Sequence, residues 1–261
     1  MLNKRIIFAL LYREGSFFLS RNFSLQKVGN IDWLKENFGF NKTCSFIDEL
    51  IFIIVKKNPS KDDWKSFFND IAKVRKNIFV PITIGGGIRN LSQAKECFLN
   101  GADKILLNTC IHQNNSIYDI TKKFGDSAVT VMVDYKKKND GNRKIMIDSG
   151  QKEILTLHKF FNDKKKLPCA ELVMNSIDKD GTGMDFDTNV LEEIPNGFKR
   201  PILLMGGAGK PEHIFNCLKN KNVSGIVTAN LFNFLGDGLE IARKHSINKG
   251  LKLARFKEIS L

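Results

Sequence analysis

The sequence predicts an α/β architecture: a closed (βα)8 barrel of parallel strands, made of two similar halves. Three observations predict it. Eight short apolar, β-branched runs recur along the 261 residues, helical patterns separate several of them, and two glycine-rich strand ends stand in matching register. Continuous apolar runs suit parallel strands buried on both faces, and eight of them alternating with helices suit a TIM barrel. An open doubly wound sheet would carry G-x-G-x-x-G after an early strand. The glycines here come late, as GGG at 85–87 and GGAG at 206–209. No linker or low-complexity tract interrupts the chain, so one domain is expected over 1–261, with half-barrels of roughly 1–125 and 126–261.

The first run is "RIIFALLY" (5–12). With the preceding charged residues it faintly resembles a signal peptide. The apolar stretch runs straight into Arg13 and Glu14 without a small-residue cleavage site, so it reads as a buried strand. "ELIFIIV" (49–55) is the second strand. In the helical pattern "DDWKSFFNDIAKV", Trp64, Phe67, Phe68, Ile71 and Val74 fall on one stripe. "PITI" (81–84) follows, then "NLSQAKECFLNG", with Leu91, Ala94, Cys97 and Phe98 on its apolar face and Gly101 at the C-terminal cap. The remaining strands are "KILLN" (104–108), "AVTVMVD" (128–134), "AELVMNS" (170–176), "PILLM" (201–205) and "GIVTAN" (225–230). Pro211 and Glu212 open a helix after the seventh, since proline suits the first turn and an acid suits its positive end. Residues 239–256 read as a closing helix and tail.

Composition bounds the function. The formal charge of +13 calls for an anionic partner or a lysine-rich solvated surface. The basic clusters at 136–138 and 164–166 lack the interleaved aromatics of a nucleic-acid stacking surface, so no nucleic-acid partner is expected. No run approaches the ~18 apolar residues of a membrane span. Five cysteines without a C-x-x-C pair and four histidines without ligand spacing give no disulfide framework, no metal site and no cofactor, and point to a reducing cytoplasm.

The glycines carry the functional signal. A strand that ends in glycine and enters a helix presents bare N–H groups beside the positive helix end, an arrangement suited to phosphate. Gly87, Asn108 and Thr109 form one such cluster, and Gly207, Gly209, Ala229 and Asn230 another. Gly85 and Gly206 are 121 residues apart, as are Asn108 and Ala229. Two sites on opposite sides of one mouth would hold a small molecule with a phosphate at each end. Tight strand-to-helix packing is the competing explanation.

The motifs "MLNKRII", "DELIF", "GGGIRN", "GADKILLNT", "NSIDKDGT" and "GGAGKPEH" together resemble HisF, the cyclase subunit of imidazole glycerol phosphate synthase, from Met1 to about Phe234. The resemblance implies a barrel with twofold internal repetition and a HisH-type glutaminase partner, as a heterodimer, at the N-terminal face. Ammonia crosses the barrel and attacks the ribulosyl bis-phosphate aminoimidazole intermediate PRFAR, giving imidazole glycerol phosphate and AICAR. Of two family aspartates in acid–base catalysis, one falls on Asp134 and the other on Leu11. A family lysine falls on Leu19 and a further aspartate on Ile54, while Asp180, Gly181 and Thr182 fit the substrate-phosphate positions. The charged ring at the ammonia entrance falls on Arg5, Glu49, Lys104 and Glu171, and a partner-facing aspartate on Asp103.

Leucine cannot carry a proton. The cyclase reading therefore needs Asp178, Asp180 or Glu14 to stand in for the residue lost at position 11. The alternative is a divergent paralogue that keeps the gate but delivers ammonia to another acceptor, a nucleotide-linked surface-polysaccharide sugar. A catalytically silent phosphate-binding barrel is the third possibility.

Overall fold

A computed structural model describes residues 3–38, 44–76, 78–113, 116–164, 166–229 and 237–254. The strands are β1 (Arg5–Arg13), β2 (Ser16–Arg21), β3 (Ser24–Gly29), β4 (Glu49–Ile54), β5 (Ile82–Gly85), β6 (Lys104–Leu107), β7 (Val129–Lys137), β8 (Arg143–Ile147), β9 (Lys152–Thr156), β10 (Glu171–Ser176), β11 (Ile202–Met205) and β12 (Gly225–Thr228). Eight of them, in the order β1-β4-β5-β6-β7-β10-β11-β12, pair in parallel, and β12 returns to β1. This is the closed barrel that the eight apolar runs predict. The four others form two antiparallel hairpins, β2–β3 and β8–β9, which the sequence reading did not anticipate.

Alternation along each strand divides the core in two. Ile6, Phe8, Leu10 and Tyr12 of β1 face outward into a cluster shared with the helices. Ile7 and Ala9 face inward, onto Ile51, Leu106, Met132, Val173, Leu203 and Val227. The helix Lys61–Arg75 buries Phe67, Ile71 and Val74, and a capping box of Ser60 and Asp63 starts it. The helix Leu91–Leu99 buries Ala94 and Cys97, but Leu91 in its first turn turns outward, 38% exposed. Its end is a Schellman motif: Ala102 donates to the Cys97 carbonyl, Gly101 to that of Phe98, and Gly101 takes φ +88°. Pro211 opens the helix Pro211–Lys219. The closing helix Gly238–Asn248 is held by buried Arg243, which donates to both oxygens of Asp48 at 2.8 and 3.0 Å. Among the described residues no helix is long and apolar enough to cross a membrane.

Candidate functional site

The mouth is built from the C-terminal strand ends. Asp134 projects inward from β7, beside its register partner Asn175 on β10. Its two carboxylate oxygens accept the side-chain amides of Asn108 and Asn175, each at 2.7 Å. Burial pushes the carboxyl up to about 6, and the charge of Asp180 adds to this, while the two amides pull the other way. Asp180 is also raised by burial, opposed by its own hydrogen bonds. It accepts Ser20 Oγ at 2.5 Å and the Phe23 amide at 3.0 Å, so the tip of the β2–β3 hairpin is tied down over the mouth.

Above Asp134 opens a cavity of about 730 Å3. Its floor is Leu11, Ile53, Leu106, Met132 and Met205, and its rim carries Arg13, Lys56, Lys57 and Arg89. Leu11 is 6% exposed at the inward end of β1, so the position that the resemblance gives to an aspartate is an apolar part of this floor. Ile54 lines the cavity too, whereas Leu19 is buried in β2. Among the three stand-in carboxylates, Asp180 lines the cavity. Asp178 accepts the Lys137 amide at 2.7 Å, and Glu14 pairs with Lys56 at 2.9 Å.

Gly87, Asn108 and Thr109 line the same cavity. On the other side, Gly181, Gly207 and Ala229 line an adjoining space of about 20 Å3. Gly209 lies beside Gly183, and Thr182 donates to the Lys179 carbonyl at 2.9 Å. Asn230 lies outside the described residues. Packing accounts for part of this glycine content. A Cβ on Gly86 would stand 2.1 Å from the Ile54 carbonyl oxygen, and one on Gly207 2.0 Å from that of Asp185, with φ of +87° and +103°. Gly86 and Gly207 thus each let one backbone segment approach another closely.

The opposite end of the barrel holds a ring of alternating charge. Arg5 donates to Glu49 and, at 2.5 Å, to Glu171; Lys104 reaches Glu49 at 3.2 Å and Glu171 at 3.1 Å. Burial opposes ionisation of Glu171, but Arg5 and Lys104 outweigh it and hold the carboxyl below its ordinary range. Asp103 is exposed on this face, and its carboxylate accepts the Ile82 amide at 2.7 Å, fixing the start of β5. No group of three or more metal-ligating side chains gathers among the described residues.

The sequence matches known proteins. A family model described as "Histidine biosynthesis protein" matches residues 46–236. A protein of Parasynechococcus marenigrum strain WH8102, provisionally named imidazole glycerol phosphate synthase subunit hisF2, is 38% identical, covering 100% of this chain and 94% of its own length. The imidazole glycerol phosphate synthase subunit HisF of Chlorobium phaeobacteroides strain BS1 is 30% identical, covering 97% of this chain and 99% of its own. That of Chlorobaculum tepidum is 30% identical over 96% and 98%. The chain belongs to the HisF family.

Several parts of this HisF-type mouth escaped the sequence reading. Asn175 was legible only as a position one residue before the end of a strand run, a weak signal. Ser20 and Phe23 reach Asp180 from about 160 residues away along the chain, and no local pattern announces that. Arg13, Lys56, Lys57 and Arg89 looked like members of a general basic surplus until the barrel brought them to one rim.

Proposed function

We propose that this HisF-family chain is the ammonia-consuming barrel of a glutamine amidotransferase pair, acting on a phosphorylated acceptor at the mouth. A HisH-type glutaminase docked at the charged face would release ammonia at the ring. One observation carries the reading: along the barrel axis the inward side chains run from the closed ring of Arg5, Glu49, Lys104 and Glu171, through an apolar layer, to Asp134. Neutral ammonia crosses an apolar lumen at little cost, whereas an ion would have to shed its hydration. At the mouth, a carboxyl titrating near 6 can take a proton from the attacking nitrogen and return it at neutral pH. The glycine loops on either side would hold the acceptor's phosphates. Catalysis and phosphate binding by Asp134, Asn108, Thr109 and these loops are assignments by position and chemistry.

The reaction that the HisF resemblance implies is the first form of the proposal: PRFAR and ammonia give imidazole glycerol phosphate and AICAR. Leu11 favours a second form. A positioned acid or base contributes roughly 10²–10⁴ in rate, about 3–5 kcal/mol of barrier, and leucine supplies none of it. In this form the same ammonia amidates a different acceptor, such as a nucleotide-linked sugar.

The deciding experiment gives the purified chain PRFAR and excess ammonium salt at alkaline pH, and follows imidazole glycerol phosphate. Asp134→Asn serves as control and Leu11→Asp as rescue. Turnover abolished by Asp134→Asn establishes the cyclase. A folded chain that binds PRFAR without turnover, and gains activity with Leu11→Asp, retires the cyclase form and favours the second. Failure to bind PRFAR at low salt sinks the two phosphate sites.

A further inference from the structure

Directly under the cavity, one buried polar atom lacks a partner. Asn175 is 4% exposed, and its Oδ1 accepts no hydrogen bond among the described residues. The orientation of the amide is fixed, because Nδ2 faces the Asp134 carboxylate at 2.7 Å and must be the donor there. A buried acceptor without a donor is unfavourable, and such an atom marks a place where a donor is missing.

The position of Asn175 indicates which donor fits. On β10 the successive inward residues are Glu171 in the charged ring, Val173 in the apolar layer, and Asn175. Four residues of strand span roughly 13 Å, so Asn175 is the first polar group met on this strand after the ring. Its register neighbours are Asp134 on one side and Met205 on the other, and its Nδ2 also lies 4.0 Å from Met132 Sδ. Unbranched methionines can move aside for a small visitor more readily than branched side chains can. Once such a side chain moves aside, a molecule leaving the lumen here meets a buried carbonyl acceptor without a donor and a carboxylate together.

We propose that Asn175 Oδ1 and Asp134 form a receiving site for ammonia or ammonium at the top of the lumen, with Asn175 as the positioning residue that aims the nitrogen at the acceptor. The proposal rests on the ammonia-consuming reading above, but it does not depend on which acceptor is used.

The test needs no acceptor. The full-length 15N-labelled chain at pH 7.5 is titrated with ammonium chloride, with potassium chloride as an ionic control, while the side-chain amide signals of Asn175 and Asn108 are followed. The Asn175 signal is assigned by its loss in Asn175→Leu. A saturable shift of both amides with ammonium but not with potassium is expected. In Asn175→Leu, and in Asn175→Thr as a smaller replacement, half-saturation at the Asn108 signal should move at least tenfold higher with the backbone spectrum otherwise native. Equal shifts with both salts, a linear response, or an unchanged half-saturation in both variants would overturn the site and leave the oxygen to water. A saturable response in a chain that turns over no PRFAR would retire the cyclase form and leave this site standing.

Discussion

Asp134 shows at the scale of one residue how burial moves the titration of an ordinary carboxyl toward neutral pH. Its pKa in the folded protein is raised to about 6 from 3.8, so the folded state holds the proton that the unfolded chain releases. Its favourable contribution is full below the unfolded value and is lost as pH rises through about 6. Two units correspond to roughly 3 kcal/mol. Asp134→Asn should therefore raise stability relative to the parent at pH 7.5, with the advantage shrinking to nothing near pH 4. Urea unfolding of both chains at the two pH values measures this, and a pH-independent difference would refute it. Gly207 makes the complementary point about backbone. With φ +103° and a Cβ position 2.0 Å from the Asp185 carbonyl oxygen, Gly207→Ala should cost at least ~2 kcal/mol in the same assay.

At the scale of an element, the β2–β3 hairpin is governed by its far end. Its turn places Asn22 and Phe23 at φ +50° and +64°, which is strained for a phenylalanine. The strain is held by tertiary bonds. The Asp180 carboxylate accepts Ser20 Oγ and the Phe23 amide, and the Asn22 amide donates to the Asp180 carbonyl at 2.9 Å. Removing Ser20 Oγ takes away one bond to a buried carboxylate, about 1.5–3 kcal/mol. Ser20→Ala should then speed hydrogen exchange at the Asn22 and Phe23 amides at least tenfold while β1 exchange stays unchanged. Equal protection in both chains would mean that the hairpin stands without the clasp.

The whole molecule depends on the ring at its base. Glu49 and Glu171 are buried, and each is shared between Arg5 and Lys104. Breaking a buried ion pair from one side leaves an uncompensated charge, at a cost of about 3–5 kcal/mol. Lys104→Met should lower global stability by that order in urea unfolding, because the ring joins β1, β4, β6 and β10 at once. A loss below 1 kcal/mol would mean that water reaches the carboxylates and screens them. The ring sits at the other end of the lumen from Asp134, so the variant should leave ammonium-driven chemistry at the mouth intact in a chain that remains folded.

The eight barrel strands were legible because a strand buried on both faces must be apolar along its whole length, and that pattern is local. Pro211 and Gly101 were legible because a ring-fixed φ and a left-handed cap are properties of single residues. Leu91 was placed on the buried face by spacing, but it sits in the first turn, where the helix has not yet closed onto the barrel. The β2–β3 hairpin was hidden because β3 has no buried residue and the turn at Asn22–Phe23 contains no glycine. Of the candidate site, Asn108 and the glycines stood at strand ends and could be read there, whereas Asp134 came from the resemblance to HisF. The apolar nature of Leu11 was equally plain, but its place in the cavity floor was not. By itself the sequence determined the barrel, since this follows from periodicity, while the charged ring at its base was read from the resemblance to HisF. Only the tertiary structure decided that Asp180 clasps the hairpin and that Asn175 keeps a vacant oxygen beside Asp134. Those are contacts between residues far apart in the chain, set by barrel closure and register, and no local pattern encodes them.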